Sequence, residues 1–559
     1  MFIAGMGTLL LQPAFADLNM WFSNSSVYDA TNIWIIVQRG QAPETDVTNA
    51  SNRPAVTYGT NLAEFSWQMY SNSPTNVWLP GTYGNIFAEP VQFSSITNSS
   101  GLGLLTWSGN AASAAVYISY GSPFDVQQYT VSGPSANNPS DPNYRVAYQP
   151  FEITYGTGTG GAPAPGDQGD LTAINYYSAA LKIQSFESSD ATGTPLQQAG
   201  FFQSGADVGA SLIAITATNP LPSGGAEGNP GGPSVVTNVG GTPVRIIGPS
   251  QFGASPNPSW GYGNYSGFDS YLAGAGGSNA LFTNNSAYNT IPQPGPSDTY
   301  TNKNVSFAFG NSVTNTSGGY ALNQTGTITV VTSAYTNGVI DGTPVTNTYS
   351  NVAFHVTPQA QSGAAPVISN IVSQFIYLGS YTAFNGGIFT NNDGSPAAYS
   401  WFDGGDWDSF TNSMVGFLDG GGIEAMNDIP AQIAGEVATG FAAGFVGSPD
   451  YGNLPSDSWW ALDPSEAFAG ATTNPSDYNQ YAAEIAAASS NTVYGMVYSD
   501  RFLEGDPLVN TYQIGGTNVG SWLITVGDPV SAVPEPSTVA LLAAAGVMAA
   551  VAWRRRRGR

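Results

Sequence analysis

The chain has no cysteine in 559 residues, which removes disulfides and thiolate metal sites from consideration. It has a single histidine, His355, which cannot build a metal cluster alone and has no obvious partners for a Ser-His-Asp triad. Zinc and serine hydrolase mechanisms are set aside largely on that count. Charge is scarce as well: 9% of residues are charged, with 12 basic against 37 acidic. Five of the basic residues are Arg554 to Arg557 and Arg559, so the body keeps only Arg39, Arg53, Arg145, Lys182, Arg245, Lys303 and Arg501. A surface so acidic repels nucleic acid and anionic lipid, and neutral polymers such as polysaccharides suit it better. No P-loop is present, nor a G-x-G-x-x-G in a βαβ setting, and no cofactor is implied. No fixed repeat period appears, which argues against a solenoid or propeller. What the chain does have is 12% aromatic residues and 68 glycines, the composition of a folded, uncharged-polar body rather than a disordered one.

The pattern along the chain predicts two regions. Residues 17–365 read as β-rich. Asn32 to Gln38 and Thr327 to Thr332 are β-branched runs, and Val352, Phe354 and Val356 alternate with Ala353, His355 and Thr357, the period of a half-buried strand. Long Gly/Pro loops are expected at Gly156 to Gly169 and Pro220 to Pro233. Residues 366–528 read as mixed α/β. One helix is expected after Asn427-Asp428, with Ile429, Ile433, Val437, Phe441 and Phe445 as its apolar stripe. A second follows Asn474-Pro475-Ser476-Asp477, with Tyr478, Tyr481, Ile485 and Ala488 on one face. Strands are expected at Val493 to Tyr498 and Trp522 to Val526. The segment Ser400 to Asp408 sets three acids among two tryptophans, which reads as an acidic turn, a Ca²⁺ loop or a sugar platform. Trp459-Trp460 reads as either sugar stacking or core packing. No metal ligand set is assigned.

Both ends carry targeting signals. Residues 1–16 hold an apolar stretch, Thr8 to Leu11, and end Ala14-Phe15-Ala16, an A-x-A cleavage pattern. The basic n-region of a signal peptide is lacking, so the true start is expected upstream of Met1. At the other end, residues 529–559 run through Pro534-Glu535-Pro536, an apolar stretch over 539–553 and then Arg554, Arg555, Arg556 and Arg557. Fifteen apolar or small residues are short for a full span of roughly 20, and the arginines would keep the C-terminus cytoplasmic. The tail resembles the PEP-CTERM sorting signal of Gram-negative bacteria. That resemblance implies a transient inner-membrane anchor, cleavage by the membrane protease-transpeptidase exosortase, and export to the cell surface or extracellular matrix. A permanent bitopic anchor is the alternative.

Six segments of the body, Phe151 to Tyr155, Asp170 to Tyr177, Phe268-Asp269-Ser270-Tyr271, Ala431 to Gly444, Tyr494 to Asp500 and Leu523 to Gly527, follow one another in a familiar order. In that order the body resembles the laminaripentaose-producing β-1,3-glucanases of glycoside hydrolase family 64, which are thaumatin-like. The resemblance implies a β-barrel or sandwich domain and an α/β domain flanking a wide groove. It also implies two carboxylates that hydrolyse β-1,3-glucan with inversion, which needs them roughly 6.5–9.5 Å apart.

Glu152 matches the first carboxylate, and partial burial beside Phe151 would let it keep a proton as general acid. In the best register the second position is Asn175, an amide that accepts no proton as a carboxylate does. Three readings stay open. The register shifts across the Gly/Pro loop and Asp170 or Asp167 is the base; another acid such as Asp269 has taken over; or the groove only binds. Tyr155, Tyr176, Tyr177, Asp269 and Tyr271 are the substrate-binding residues the resemblance implies. The expectation is therefore an exported protein that binds β-1,3-glucan or another exopolysaccharide and hydrolyses it, the alternative being an inactive polysaccharide- or matrix-binding surface protein. A purely structural matrix protein is the third reading.

Overall fold

Strict alternation builds the first strand, β1 (Leu18–Asn24): Leu18, Met20 and Phe22 are buried, and Asn19, Trp21 and Ser23 lie half-exposed between them. This is one face of a sheet turned to a core and the other to solvent. The computed structural model describes residues 18–38, 55–58, 63–66, 87, 90–108, 111–126, 133–136, 138–155, 168–217, 236–248, 281–289, 299–316, 319–337, 339–356, 387–390, 396–399, 440, 442–446, 448–459, 462–496, 509–510 and 519–531.

In chain order the elements that follow are β2 (Ile33–Gln38), β3 (Ala55–Tyr58), β4 (Ala63–Ser66), β5 (Val91–Gln92), β6 (Gly103–Ser108), β7 (Ala111–Tyr120), β8 (Ala147–Tyr155), β9 (Gln168–Leu171), β10 (Tyr176–Tyr177), β11 (Ala179–Phe186) and β12 (Gln197–Gly200). Next come helix α1 (Gly205–Ala217), β13 (Val236–Val239), β14 (Thr242–Ile247), and the long strands β15 (Leu281–Asn289), β16 (Thr299–Thr316), β17 (Gly319–Thr336) and β18 (Val339–Val356). The last are β19 (Gly387–Thr390), β20 (Pro396–Tyr399), α2 (Ser456–Trp459), α3 (Gln480–Ser489), β21 (Val509–Asn510) and β22 (Ser521–Pro529).

The protein is mainly β. One sheet runs β12-β11-β22-β1-β6-β3-β4 and a second runs β21-β9-β8-β7-β2-β5. Both orders are open, so the two sheets form a sandwich and do not close into a barrel; the barrel half of the expectation is corrected. Phe22 of β1 meets Phe151 of β8 at 6.5 Å between ring centroids, and Tyr120 of β7 donates to the Gly527 carbonyl at 2.9 Å. The sheets also approach closely at Gly169 of β9, where a Cβ would stand 2.4 Å from the ring of Trp522 on β22.

The last strand lies inside the first sheet. β22 pairs in parallel with β1 (Asn19↔Ser521 to Asn24↔Val526) and antiparallel with β11. Helix α3 joins the same core through Tyr481, Ile485 and Ala488, three of the four stripe residues expected from sequence. Asn479 caps this helix by accepting from the Ala482 N–H. Strands and a helix from both sides of residue 365 thus share one buried cluster.

Other expectations are met in part. The runs at Asn32 to Gln38, Thr327 to Thr332 and Val352 to Val356 fall in β2, β17 and β18, and His355 pairs opposite Asn323. Val493 to Tyr498 is not a described strand; only Tyr494 bridges, in parallel, to Thr172. Helix α1 was not foreseen. It starts where Ser204 and Asp207 cap each other, the Ser204 hydroxyl donating to the carboxylate and accepting from the Asp207 N–H. It buries Val208 and Leu212, one turn apart. Trp459 is fully buried, 5.4 Å from the Phe445 ring, a core residue rather than a sugar platform. Residues 1–16, 400–408 and 532–559, and most of the helix expected after Asn427, lie outside the described residues.

Gly169→Ala is expected to lower stability by about 1–3 kcal/mol, as overpacking against a buried ring does. Thermal or denaturant unfolding reads this, and an unchanged midpoint would show that the Trp522 ring yields without strain.

Candidate active site

Period two along β8 turns Phe151 and Ile153 into the sandwich, where both are fully buried, and leaves Glu152 and Thr154 half-exposed on the outer face. On β9 the same rule turns Gly169 and Leu171 inward and Asp170 outward. The two strands are antiparallel, and their register sets Glu152 directly opposite Asp170. Side chains so opposed share a face and have Cβ atoms roughly 4.5–5.5 Å apart.

The register continues across the sheet. Gln38 of β2 faces Ala115 of β7, and Ala115 faces Glu152. A line at right angles to four strands thus reads Gln38, Ala115, Glu152, Asp170. The methyl group of Ala115 makes a low point beside Glu152.

One side of this line is walled. Tyr117, two residues along β7, donates to Gln38 Oε1 at 2.9 Å. Its ring packs against Phe87, Phe124 and Tyr148 at 5.7, 5.4 and 6.0 Å. Arg245 of β14 is fully buried over this cluster, with its guanidinium 4.2 Å from the Tyr148 ring and 5.2 Å from that of Tyr176. It donates to the carbonyls of Ala136, Tyr144 and Val146 at 3.3, 3.0 and 2.6 Å, and so straps that stretch of chain down beside Tyr117. Burial raises the Tyr148 phenol to about 12, against the lowering effect of Arg245. The Tyr117 phenol is raised by burial, by Tyr148 and by the charge of Glu152. Both phenols stay protonated.

The stretch after Asp170 is clamped on several sides. Ala173 N–H donates to the Tyr494 carbonyl at 2.7 Å, and Tyr494 N–H donates back to that of Leu171. The Tyr481 hydroxyl donates to the Ala173 carbonyl at 2.7 Å, and Gln149 Nε2 to that of Thr172 at 2.9 Å. Asp170 is therefore held by strand pairing on one side and by these bonds on the other. Burial, followed by the neighbouring Glu152 charge, raises its carboxyl from 3.8 to about 7. Two facing carboxylates titrate as a unit, and this one keeps a proton up to near neutrality.

The structure sorts the residues expected from sequence. It brings Glu152 and Asp170 together and does not bring Asn175 to that place. The segment Asp170 to Tyr177 that carries the likeness spans two strands, β9 and β10, and Asn175 lies in the bend between them, its carbonyl accepting from the Gly248 N–H at 2.8 Å. Tyr177 is fully buried, donating to the Gly205 carbonyl, with its ring 5.0 Å from that of Phe201; it is a core residue and cannot meet a substrate. Tyr176 is 8% exposed beneath Tyr148 and Arg245, a wall residue at most. Tyr155 ends β8, and its side chain lies outside the described residues, as do Asp167, Asp269 and Tyr271. Sequence reasoning missed Gln38, Ala115 and Arg245. Only the scarcity of buried-type cations in the body offered a signal, and that for Arg245 alone. Among the described residues no three His, Cys, Asp or Glu side chains gather to hold a metal, and no helix is long and apolar enough to cross a membrane.

Comparison with known proteins gives a family for the tail. Residues 532–557 match the family described as the PEP-CTERM protein-sorting motif, so the chain carries that export and sorting signal. No curated protein matches the chain. Among solved structures it is similar to a laminaripentaose-producing β-1,3-glucanase in complex with laminaritetraose, at 15% identity and a TM-score of 0.41, covering 92% of this chain and 99% of that one. It is similar at the same identity and TM-score to a β-1,3-glucanase domain (GH64) from Clostridium beijerinckii, covering 92% and 100%. A GH family 64 laminaripentaose-producing β-1,3-glucanase from Paenibacillus barengoltzii matches at 15% identity over 44% of this chain and 52% of that one, with a TM-score of 0.26.

An aspartate whose carboxyl rises on folding from 3.8 to about 7 binds more proton folded than unfolded between those values, so its contribution to stability falls as pH climbs through that window. Asp170→Asn removes the effect. Its melting temperature is expected to exceed the parent's by a margin that grows from about pH 4 to pH 7 and then levels, the limit being about 4 kcal/mol. A margin independent of pH would show that Asp170 does not titrate in that window.

Proposed function

We propose that the protein is an exported glycoside hydrolase that cuts β-1,3-glucan with inversion, with Asp170 as general acid and Glu152 as general base, the reverse of the role expected for Glu152 from sequence. The observation that carries this reading is the β8–β9 register, which sets the two carboxylates face to face on a half-buried outer surface. Inverting hydrolysis needs one carboxyl protonated and its partner ionised, far enough apart to admit a water. A Glu and an Asp of unequal length, starting from opposed Cβ atoms, can spread to the roughly 6.5–9.5 Å this requires. Below about pH 7 the pair holds the proton the reaction consumes at the leaving oxygen. The glycosidic oxygen takes that proton from Asp170, and Glu152 takes one from the attacking water. An acid with a pKa near the working pH is still protonated there and gives up its proton readily.

The substrate rests on the sequence likeness of Phe151 to Tyr155 and its co-linear segments to family 64 β-1,3-glucanases. The acidic body, at net charge −25, favours a neutral polymer. Asn175 was the reason to consider a groove retired to binding. With Asp170 opposite Glu152, that reason loses its force.

The test is laminarin hydrolysis. Glu152→Gln and Asp170→Asn are each expected to lower kcat by about 10²–10⁴-fold, the usual worth of general acid–base catalysis, while Asn175→Asp changes it little. The rate is expected to fall above about pH 7 as the pair loses its last proton. NMR of the first product should show the α-anomer at the new reducing end. A β-anomer sinks inversion, and full activity in Asp170→Asn sinks the assignment of the acid.

A further inference from the structure

A second, separate cleft opens on the far side of the sandwich. In the first sheet Lys182 of β11 stands opposite Thr525 of β22, which stands opposite Ser23 of β1. Their chain neighbours Leu181, Ile183, Ile524 and Phe22 are buried in the core, so this row lies on the sheet's outer face. Glu152 and Asp170 occupy the outer face of the other sheet. With stacked sheets roughly 10 Å apart, one sugar residue cannot touch both places. The cleft holds about 280 Å³ and is lined by Lys182, Phe202, Gln203, Ser204, Thr525 and Asp528, among others.

The cleft is built on rigid backbone. Its floor includes Gly205 and Gly527, where a Cβ would stand 1.8 Å from the Asp528 carbonyl oxygen and 2.6 Å from that of Ala180; only bare backbone fits there. Phe202 remains 46% exposed while the preceding Phe201 is 6% exposed and packs inward. Phe202 is nevertheless firmly placed. Its N–H donates to the Ala488 carbonyl at 3.1 Å, and Phe201 N–H to that of Leu181 at 2.9 Å. Gly200, just before them, has φ +133° and passes so close to Leu181 and Lys182 that a Cβ would lie 2.4 Å from backbone. Its N–H donates to Thr492 Oγ1 at 2.9 Å. An exposed phenylalanine fixed by its main chain loses little entropy when something stacks on it.

The polar groups at the cleft are mixed in kind. Lys182 Nζ lies 5.3 Å from the centre of the Phe202 ring, and Asp528 uses one carboxylate oxygen to accept the Val27 N–H at 2.7 Å. An ammonium donates only and a carboxylate accepts only, whereas the Gln203 amide and the Ser204 and Thr525 hydroxyls do both. One cation and one anion leave the cleft without a strong preference for charge. An apolar ring face ringed by donors and acceptors matches a neutral pyranose, whose C–H face stacks on an aromatic ring and whose hydroxyls both donate and accept.

We propose that this cleft is a non-catalytic site for one or two residues of a neutral β-glucan, with Phe202 as the stacking platform. The identity of the sugar rests on the function proposed above; the site itself does not. Placed on the face away from Glu152 and Asp170, it would hold the protein on an insoluble polymer while leaving the carboxylate pair free.

The experiment is retention of the full-length chain, in mild detergent, on insoluble β-1,3-glucan, alongside hydrolysis of soluble laminarin. In Phe202→Ala the apparent Kd for the insoluble polymer is expected to rise at least about threefold, with laminarin kcat/KM within about twofold of the parent. Phe202→Trp should keep retention, and Leu454→Ala, another exposed apolar residue, should leave it unchanged. Unaltered retention in Phe202→Ala overturns the proposal and leaves the catalytic reading standing, and absence of retention in the parent overturns it too. Retention that depends on Phe202 in a parent unable to hydrolyse laminarin upholds the site and removes the catalytic reading instead.

Discussion

The contact between Gly169 and Trp522 is the constraint on which the arrangement depends. The indole fills the place where residue 169 would otherwise carry a side chain, and β9 can lie against β22 only with a glycine facing inward there. In a strand the next residue must face the opposite way, so the same contact that closes the sandwich turns Asp170 outward toward Glu152. A slip of one residue would push a carboxylate into the core and bring a glycine to the surface, reversing packing and site together. Stability and chemistry are tied to the same pair of strands.

The charge distribution follows from how few cations the body has. Arg245 is buried without a carboxylate partner among the described residues; three backbone carbonyls and two tyrosine rings take that place. Burying a cation this way is tolerated because carbonyl dipoles and ring faces replace part of its lost hydration. The arrangement fixes the wall beside Tyr117 without setting a positive charge among the causes that shift Asp170. Its carboxyl can therefore rise toward neutrality, where a salt bridge would have held it low.

The molecule presents two unlike outer faces. The second sheet carries a carboxylate pair next to an aromatic wall; the first carries an exposed ring among mixed polar groups. Both are set by one core, because β22 and α3, from the end of the chain, pack among strands from its beginning. The PEP-CTERM tail follows soon after β22, so the sorting signal extends from a strand held in the middle of a sheet.

Local pattern alone was enough to find β2, the middle of β17, β22, the buried face of α3 and the sorting tail. Each depends on periodicity or a short motif within a few residues, where neighbours along the chain decide the outcome. It was not enough for α1, whose Ser204–Asp207 cap sits in a stretch otherwise rich in strand formers, nor for the split of 170–177 into β9 and β10. The partner of Glu152 was undecidable for a related reason. The inserted loop before β9 hides the register: the best alignment puts Asn175 in the partner's place, and a shift to Asp170 or Asp167, takeover by Asp269 and a groove that only binds all stay open from sequence. Sequence by itself determined that the chain is an exported, mainly β, acidic protein with a carboxylate on a half-buried strand. Only the tertiary structure decided that Asp170 faces it, that Tyr177 belongs to the core and that the last strand completes the first sheet, because register and side-chain facing are set by contacts beyond the reach of local pattern, such as that of Gly169 with Trp522.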